Sequence, residues 1–352
     1  MRRFFLALGL LLTLGLAFQL SSGCGYDENK GLFMAPGSYS DLAVVLSSPG
    51  LEPLANRFLG LLNTPKTFVI AEETTFITDT FQADRWDLAK GYKNSIFMIR
   101  IGDGGPAESA VRKALPKETW ERLASGGGGV VKLNDPWASY QLAVVVASRD
   151  RNNLGSLLTR NTDKIREIFA SSSRERILRR NRYEGLNTPV MDDHWNRFGF
   201  FMELPADFER IQFLPDGYPG VEMMKKSPSR GITVTWREVE GDVQQMLTQR
   251  DDLLMMRREM GDRLHDEEVH LETLVWSDDT LGQTPCVRLE GAWTSRKFSG
   301  GGAFWCFFVA DPRQNRIFCI DLLVYAPGMD KMNFFRRMAA VASTFSTRGP
   351  QP

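Results

Sequence analysis

The sequence predicts an α+β protein: two α/β-type domains, each a mainly antiparallel sheet with packed helices, behind an N-terminal lipoprotein signal peptide. Three observations carry this reading. In the first half, apolar runs of strand length alternate with stretches of helical spacing; in the second, four strand-like runs follow one another; and a short greasy segment behind two arginines opens the chain.

In chain order, Arg2 and Arg3 form a charged n-region, Phe4 to Phe18 an apolar stretch, and Ser21, Ser22 and Gly23 a small-residue cleavage site. The apolar stretch falls short of the ~20 residues a spanning helix needs, so residues 1–23 read as a signal peptide. Cys24 follows directly. Lipoprotein signals end in small residues and a cysteine that takes lipid; Gly23 and Cys24 fit, while Ser21 stands where an aliphatic residue is usual. Cys24 is the candidate lipidation site, and ordinary cleavage beside an incidental cysteine is the alternative. GYDENKGLFMAPGSYS behind it is polar and Gly-rich, so 24–40 reads as a tether, and Asp27-Glu28 resembles the acidic export signal of some surface lipoproteins.

Residues 41–184 read as the first domain. DLAVVLSS (41–48) is a buried strand, Leu51 to Leu62 a helix stopped by Asn63-Thr64-Pro65, KTFVIAEETTFITDTF (66–81) a strand and NSIFMIRIG (94–102) another. Glu108 to Leu123 is helical with Pro116 dividing it. Strands around 130–132 and 141–147 precede a long helix from Leu154 to Asn181. GLNTPVMDDHW has loop composition and places a linker at 185–196.

Residues 197–347 read as the second domain, with 348–352 as a tail. FGFFMELPADFERI opens it as a strand stopping at Leu204-Pro205, and GITVTWREV (231–239) is the next. Asp242 is the N-cap of a helix to about Leu264. HLETLVWS, CVRLEGAWTS, GAFWCFFVA and NRIFCIDLLVYA are four strands in succession, and Asp330 caps a closing helix from Lys331 to Phe345. Both halves end in a strand, a polar loop and an amphipathic helix, which raises a duplicated sandwich as an option.

Composition narrows the function classes. The 352 residues carry 43 basic and 43 acidic side chains, and losing Arg2 and Arg3 with the leader leaves 41 against 43. No concentrated basic surface follows from that balance, so nucleic acid is not an expected partner. Of the four cysteines, Cys286, Cys306 and Cys319 lie in the mature body. If Ala310 faces Asn315 across the hairpin turn, Cys306 faces Cys319, making these two a candidate disulfide; the alternative is three small buried thiols.

The chain has three histidines. His265 and His270 in HDEEVH are five apart, which separates them on a helix and puts them on opposite faces of a strand, so no metal site is expected. MDDHW offers Asp192, Asp193 and His194, too few ligands for a hard-metal site. GGGG (126–129) and GGG (300–302) lack a phosphate-loop context and read as turns. No cofactor is expected. The aromatic cluster at 293–308 divides by face: where helices cover both sides of the sheet it is core, and where one side is open Trp293, Trp305 and Phe307 form a candidate binding surface.

Three stretches carry a family resemblance: APGSYSDLAVVLSS, PWASYQLAVVVASRDRNNLGSLLTRNTDKIREIF, and LEGAWTSRKFSGGGAFWCFFVADPRQNRIFCIDLLVYAPGMDKMNFFRRMAAVASTF. Together they resemble the bacterial envelope lipoproteins grouped as domain of unknown function family 4837, with departures at Ala292 and Ala303. Residues 197–347 alone are similar to the Mog1/PsbP-type α/β/α sandwich. The first resemblance implies an envelope location and carries over no catalytic residue.

The expected function is a membrane-anchored envelope lipoprotein, outer membrane before inner, with its body periplasmic or surface-exposed. Its partners would be membrane lipid through Cys24 and an envelope protein or component, bound without catalysis. The alternative is a hydrolase-like enzyme with an acidic site in the interdomain cleft around Asp192, Asp193 and His194.

Overall fold

A computed structural model describes residues 26–27, 31–63, 66–67, 72–213 and 217–349. Cys24, the leader and part of the expected tether (residues 24–25 and 28–30) lie outside the described residues. The chain divides into two compact units, one running to Leu62 and again from Phe76 to Phe169, the other from Asn63 to Thr75 and from Ala170 onward. No described helix is long and apolar enough to cross a membrane.

The first unit is a five-stranded sheet: β1 (Asp41–Leu46), β2 (Ile77–Gln82), β3 (Asn94–Arg100), β4 (Gly129–Asn134) and β5 (Leu142–Ser148), ordered β2-β1-β3-β5-β4. Its helices are α1 (Glu52–Leu62), α2 (Pro106–Ala114), α3 (Lys117–Ser125), α4 (Arg151–Arg160) and α5 (Thr162–Glu184), the last running on into the second unit. Three of its four pairings are parallel and only β4–β5 is antiparallel. The α+β class holds for the chain, but the antiparallel sheet expected here does not. A parallel neighbour needs a crossover, and α1 and α2 with α3 lie in the intervening segments. β5 is buried at every position, and its Leu142, Val144 and Val146 pack with Phe58 and Leu154 while Ala143, Val145 and Ala147 pack with Val111 and Leu123. Strands covered on both faces read as continuous apolar runs, which is why AVVVA shows no alternation.

The second unit begins with the end of α5 and α6 (Thr188–Phe198). Of the expected linker at 185–196, residues 188–196 are helical, as part of α6: Pro189 stands in the first turn, where its missing N–H costs nothing, and Met191 and His194 turn inward. A seven-stranded, wholly antiparallel sheet follows: β6 (Glu209–Phe213), β7 (Gly220–Lys225), β8 (Ser229–Glu238), β9 (Glu267–Leu281), β10 (Thr284–Ser295), β11 (Gly301–Asp311) and β12 (Arg316–Tyr325). The order is β6-β7-β8-β12-β11-β10-β9. FGFFMELP is not the opening strand; the ladder starts at Glu209. Asp242 does cap a helix, accepting the Gln244 N–H at 2.9 Å, but that helix, α7 (Val243–Met246), is one turn long. α8 (Arg250–His265) follows it, and α9 (Met332–Ala342) closes the unit, with Asp330 accepting the Met332 N–H at 2.8 Å.

Helices cover both faces of this sheet. On one, α6 and α9 bring Met191, Phe335 and Met338 against Ile232, Trp305, Ile320 and Leu322. On the other, α7 and α8 bring Val243, Leu253, Met256 and Met260 against Leu289, Phe304, Cys306 and Phe308. One sheet is mainly parallel and the other antiparallel, so the two units are not copies of one sandwich.

Candidate functional site

The two covered faces settle the aromatic question. Trp293, Trp305 and Phe307 are all buried. Trp305 stacks on Phe335 of α9 with ring centroids 4.8 Å apart. They are core and offer no binding surface.

The β11–β12 register places Ala310 opposite Ile317, so Cys306 faces Asp321 and Cys319 faces Phe308. The expected direct pairing is off by two residues because the four-residue turn lies one residue further along the chain, at 312–315, with Asp311 opposite Arg316. The two cysteines are diagonal neighbours with sulfurs 3.1 Å apart, and Cys286, Cys306 and Cys319 are free thiols.

Asp192, Asp193 and His194 do not converge. Asp192 is exposed, Asp193 pairs with Arg197 at 3.6 Å, and the His194 ring lies in the core, 5.2 Å from Phe200. Successive helical residues point 100° apart, which is why an adjacent trio cannot share one site. No group of three or more metal-ligating side chains occurs among the described residues.

Open parallel sheets bind ligands beyond the carboxyl ends of their strands, where the strand order reverses. In the first unit that place lies between β1 and β3. Its donors are already used: Ser47 donates to Asp103 at 2.7 Å, and the Gly102 and Gly104 N–H groups donate to Glu108 at 3.1 and 2.7 Å.

The second unit holds two clusters of buried charge, one on each face of its sheet. On the α8 face, Glu222, Thr233, Asp321 and Cys306 form a row across four strands. Arg257, fully buried on α8, donates from Nε to Asp321 at 2.8 Å and approaches Glu267 at 2.7 Å, its guanidinium 4.3 Å from the Phe304 ring. His265 contacts Glu222 at 2.9 Å. Burial, and then the nearby Glu267, pushes the Asp321 carboxyl up to about 7 despite Arg257. Burial works against charge on His265, but the contact with Glu222 and the carboxylates around it lift its pKa above the ordinary value. This cluster supplies its own counter-charges.

The α9 face differs. Lys225 ends β7 and Arg230 lies at the start of β8, and the register sets them directly opposite. Like charges facing each other across a ladder are destabilising. Arg337 of α9 joins them at the wall of a cavity of about 120 Å³, closed by Asp207, Phe208 and Glu184. Lys225 pairs with Asp207, and Glu184 pairs with Arg180 at 2.7 Å. Arg230 is only 5% exposed. It donates to the Pro228 carbonyl at 3.3 Å and lies 5.0 Å from the Phe334 ring, and no carboxylate among the described residues pairs with it. Burial, and then the Arg337 charge, pushes its guanidinium down to about 10; burial, Arg230 and Arg337 likewise lower Lys225. A buried cation without a counter-charge is the arrangement of an anion site. The sequence reading passed over it, although KKSPSR at 225–230, a basic turn between two strands, was its signal.

Residues 190–344 match the family model described as Domain of unknown function (DUF4837), so the resemblance read from the C-terminal motifs is borne out over that stretch. The motifs quoted from before residue 190 lie outside it. No curated protein matches the sequence. Among solved structures the chain is similar to a protein from Bacteroides thetaiotaomicron VPI-5482 (12% identity, TM-score 0.28), of which it covers 44% with 42% of its own length. LpqN, involved in cell envelope biogenesis of Mycobacterium tuberculosis, is 12% identical with a TM-score of 0.27, over 42% of this chain and 82% of that one. The Saccharomyces cerevisiae Ran-binding protein Mog1p is 11% identical with a TM-score of 0.27, over 42% of this chain and 90% of that one.

Proposed function

We propose that this chain is a lipid-anchored protein of the bacterial cell envelope that works by binding, with the basic pocket of its second unit as the binding site for an anionic group. The leader and Gly23-Cys24 support the anchor. The observation that carries the binding site is Arg230. Burying a cation costs several kcal/mol unless it is paired, and this one shares its cavity with Lys225 and Arg337. Local rules are broken where function demands it, and an arriving anion supplies the missing partner.

Thermal unfolding of the mature protein at constant ionic strength tests the site. Sulfate, phosphate, succinate and acetate are each exchanged for chloride. At least one raises the Tm of the wild type, since a ligand that binds only the folded state stabilises it, and fails to raise that of Arg230→Met. If no anion separates wild type from variant, the pocket is not a binding site.

A further inference from the structure

The first unit carries a site of its own, an open groove of about 420 Å³ between α2 and a pair of tryptophans. We infer that this groove binds an acidic, proline-rich segment of a partner protein in the extended polyproline II form, independently of the anion site in the second unit.

Three places in the chain build the groove. Trp86 stands in the 3-10 segment Ala83–Gly91 ahead of β3, and Trp137 in the loop between β4 and β5. Ser109, Ala110, Lys113 and Ala114 recur at helical spacing along one face of α2 and form the opposite wall. The Trp86 and Trp137 ring centroids are 5.3 Å apart with the planes at 60°, and Trp137 rests on the buried Phe97 of β3 at 4.9 Å. The indoles are thus held at a fixed angle, yet both are only half-buried. Ala110 and Ala114 are too short to cover them, and a longer apolar side chain in either place would fill the space. Tryptophan is enriched among the residues that dominate binding energy, and here two lie open beside a ready cavity.

The polar side chains of the groove mainly donate. Neither indole N–H has a hydrogen-bond partner among the described residues, and both are open to solvent. Lys113 on the α2 wall and Lys90, 4.8 Å from the Trp86 ring, are exposed and form no ion pair with any described residue. No described carboxylate or amide side chain lines the groove. Such a wall suits a ligand that presents apolar ring faces and accepts hydrogen bonds without needing to donate any. Proline meets both conditions: it has a carbonyl and no N–H, and in polyproline II its carbonyls have no internal partner. Aromatic-lined grooves bind such segments because the extended helix is formed before it docks. A sugar ring also has an apolar face, but each of its hydroxyls brings a donor that these side chains leave unanswered. The two lysines oppose a cationic segment and are complemented by an acidic one.

Isothermal titration of the mature protein tests this with a capped peptide of about ten residues, prolines interrupted by glutamates. Companion peptides carry alanine for proline or lysine for glutamate, and an oligogalacturonate serves as an acidic sugar. The proline–glutamate peptide should bind at least about tenfold tighter than either companion or the sugar. Ala114→Leu, which fills the groove and leaves both tryptophans in place, and Trp86→Ala should each lose at least about tenfold. Lys113→Glu should move the preference toward the lysine peptide. Thermal unfolding checks that each variant folds, and Ala114→Leu decides alone if Trp86→Ala does not. Arg230→Met should bind the peptide as the wild type does, which separates this groove from the anion site. Absence of binding, equal binding of the alanine or lysine peptide, or undiminished binding by Ala114→Leu would overturn the inference. Tighter binding of the sugar would overturn it in favour of a glycan site, and loss of binding in Arg230→Met would place the peptide in the second unit instead.

Discussion

The α8-face cluster makes the stability of the second unit fall as pH rises, and Asp321→Asn is the substitution that exposes it. Two carboxylates, Glu267 and Asp321, share one buried guanidinium, Arg257. One positive charge answers one carboxylate, so the second retains a proton, and the Asp321 carboxyl is held at about 7. In the unfolded chain the same carboxyl titrates near ~3.9. Between these values the folded state holds a proton that the unfolded chain has released, so stability is lost as pH rises. The slope reaches about 1.4 kcal/mol per pH unit and sums to at most about 4 kcal/mol. His265 acts in the same sense: its pKa is raised, so its contribution is complete below the unfolded value of ~6.5 and is lost as pH rises through the folded one. Asp103 and Glu73, whose pKa values are lowered, oppose this only in more acidic solution, where their contributions are lost as pH falls. The assay is the denaturant midpoint, followed through tryptophan fluorescence at several pH values between about 5 and 7. The wild-type midpoint should fall steadily across that range, and the Asp321→Asn midpoint should fall less steeply, keeping only the contributions of Asp330, whose carboxyl burial holds at about 6, and of His265. A wild-type midpoint that rises with pH, or a variant that keeps the wild-type slope, would refute the shared-proton argument.

Four further outcomes follow from the same geometry. Gly261→Ala should destabilise the second unit by about 3 kcal/mol in the denaturation assay, because the added Cβ would meet Arg257 Nη1 and, at 2.6 Å, Glu267 Oε2, forcing a buried ion pair apart. Trp305→Ala should cost about 3–5 kcal/mol as an indole leaves the core; a neutral effect would return Trp305 to the surface. Cys24→Ala should release the protein from membranes, while mass spectrometry of the wild type should find a lipid-modified N-terminal Cys24; a soluble wild type with a bare N-terminus would sink the anchor. Cys306 and Cys319 are free thiols in this structure with sulfurs 3.1 Å apart, close enough to oxidise to a bridge, so in protein purified from an oxidising compartment without reductant only Cys286 of these three should titrate as a free thiol after unfolding; three thiols would exclude the bridge.

The parts of the fold that were legible share a physical cause. β1, β3 and β5 are apolar runs buried on both sides, and β9 to β12 follow one another with turn residues between, so each announced itself locally. What failed was longer in range. Whether two strands run parallel depends on what the connecting helices pack against, and MMKK at 223–226 does not resemble a strand until β8 lies beside it. GLNTPVMDDHW (185–195) reads as loop because of its Gly, Asn, Pro and Asp residues, yet Pro189 in a first turn and inward Met191 and His194 make a helix from Thr188 once a core exists to receive them. The candidate site was hidden for the same reason. Its three cations are separated by five and then by more than a hundred residues, and no local pattern links Arg337 to a turn at 227–228.

The two charge clusters of the second sheet then separate by a criterion that burial alone does not supply. Both contain an arginine removed from water, and each arginine lies beside a phenylalanine ring. On the α8 face, Arg257 is answered by Glu267 and Asp321, so its retention needs no ligand and its loss shows as instability. On the α9 face, Arg230 has a carbonyl and a ring for neighbours and two cations across the cavity. A chain that needed only stability there would gain from an apolar residue of similar volume, because replacing an unfavourable buried charge with a packed hydrophobe is neutral or stabilising. The predicted signature of a binding site is therefore a pair of opposite signs: Arg230→Met should leave the fold as stable as the wild type or more so, while removing the ligand response. Arg257→Met should lose stability, because Glu267 and Asp321 are left buried without their cation. If Arg230→Met is instead destabilised as strongly as Arg257→Met, Arg230 is part of the scaffold and the anion site loses its central argument.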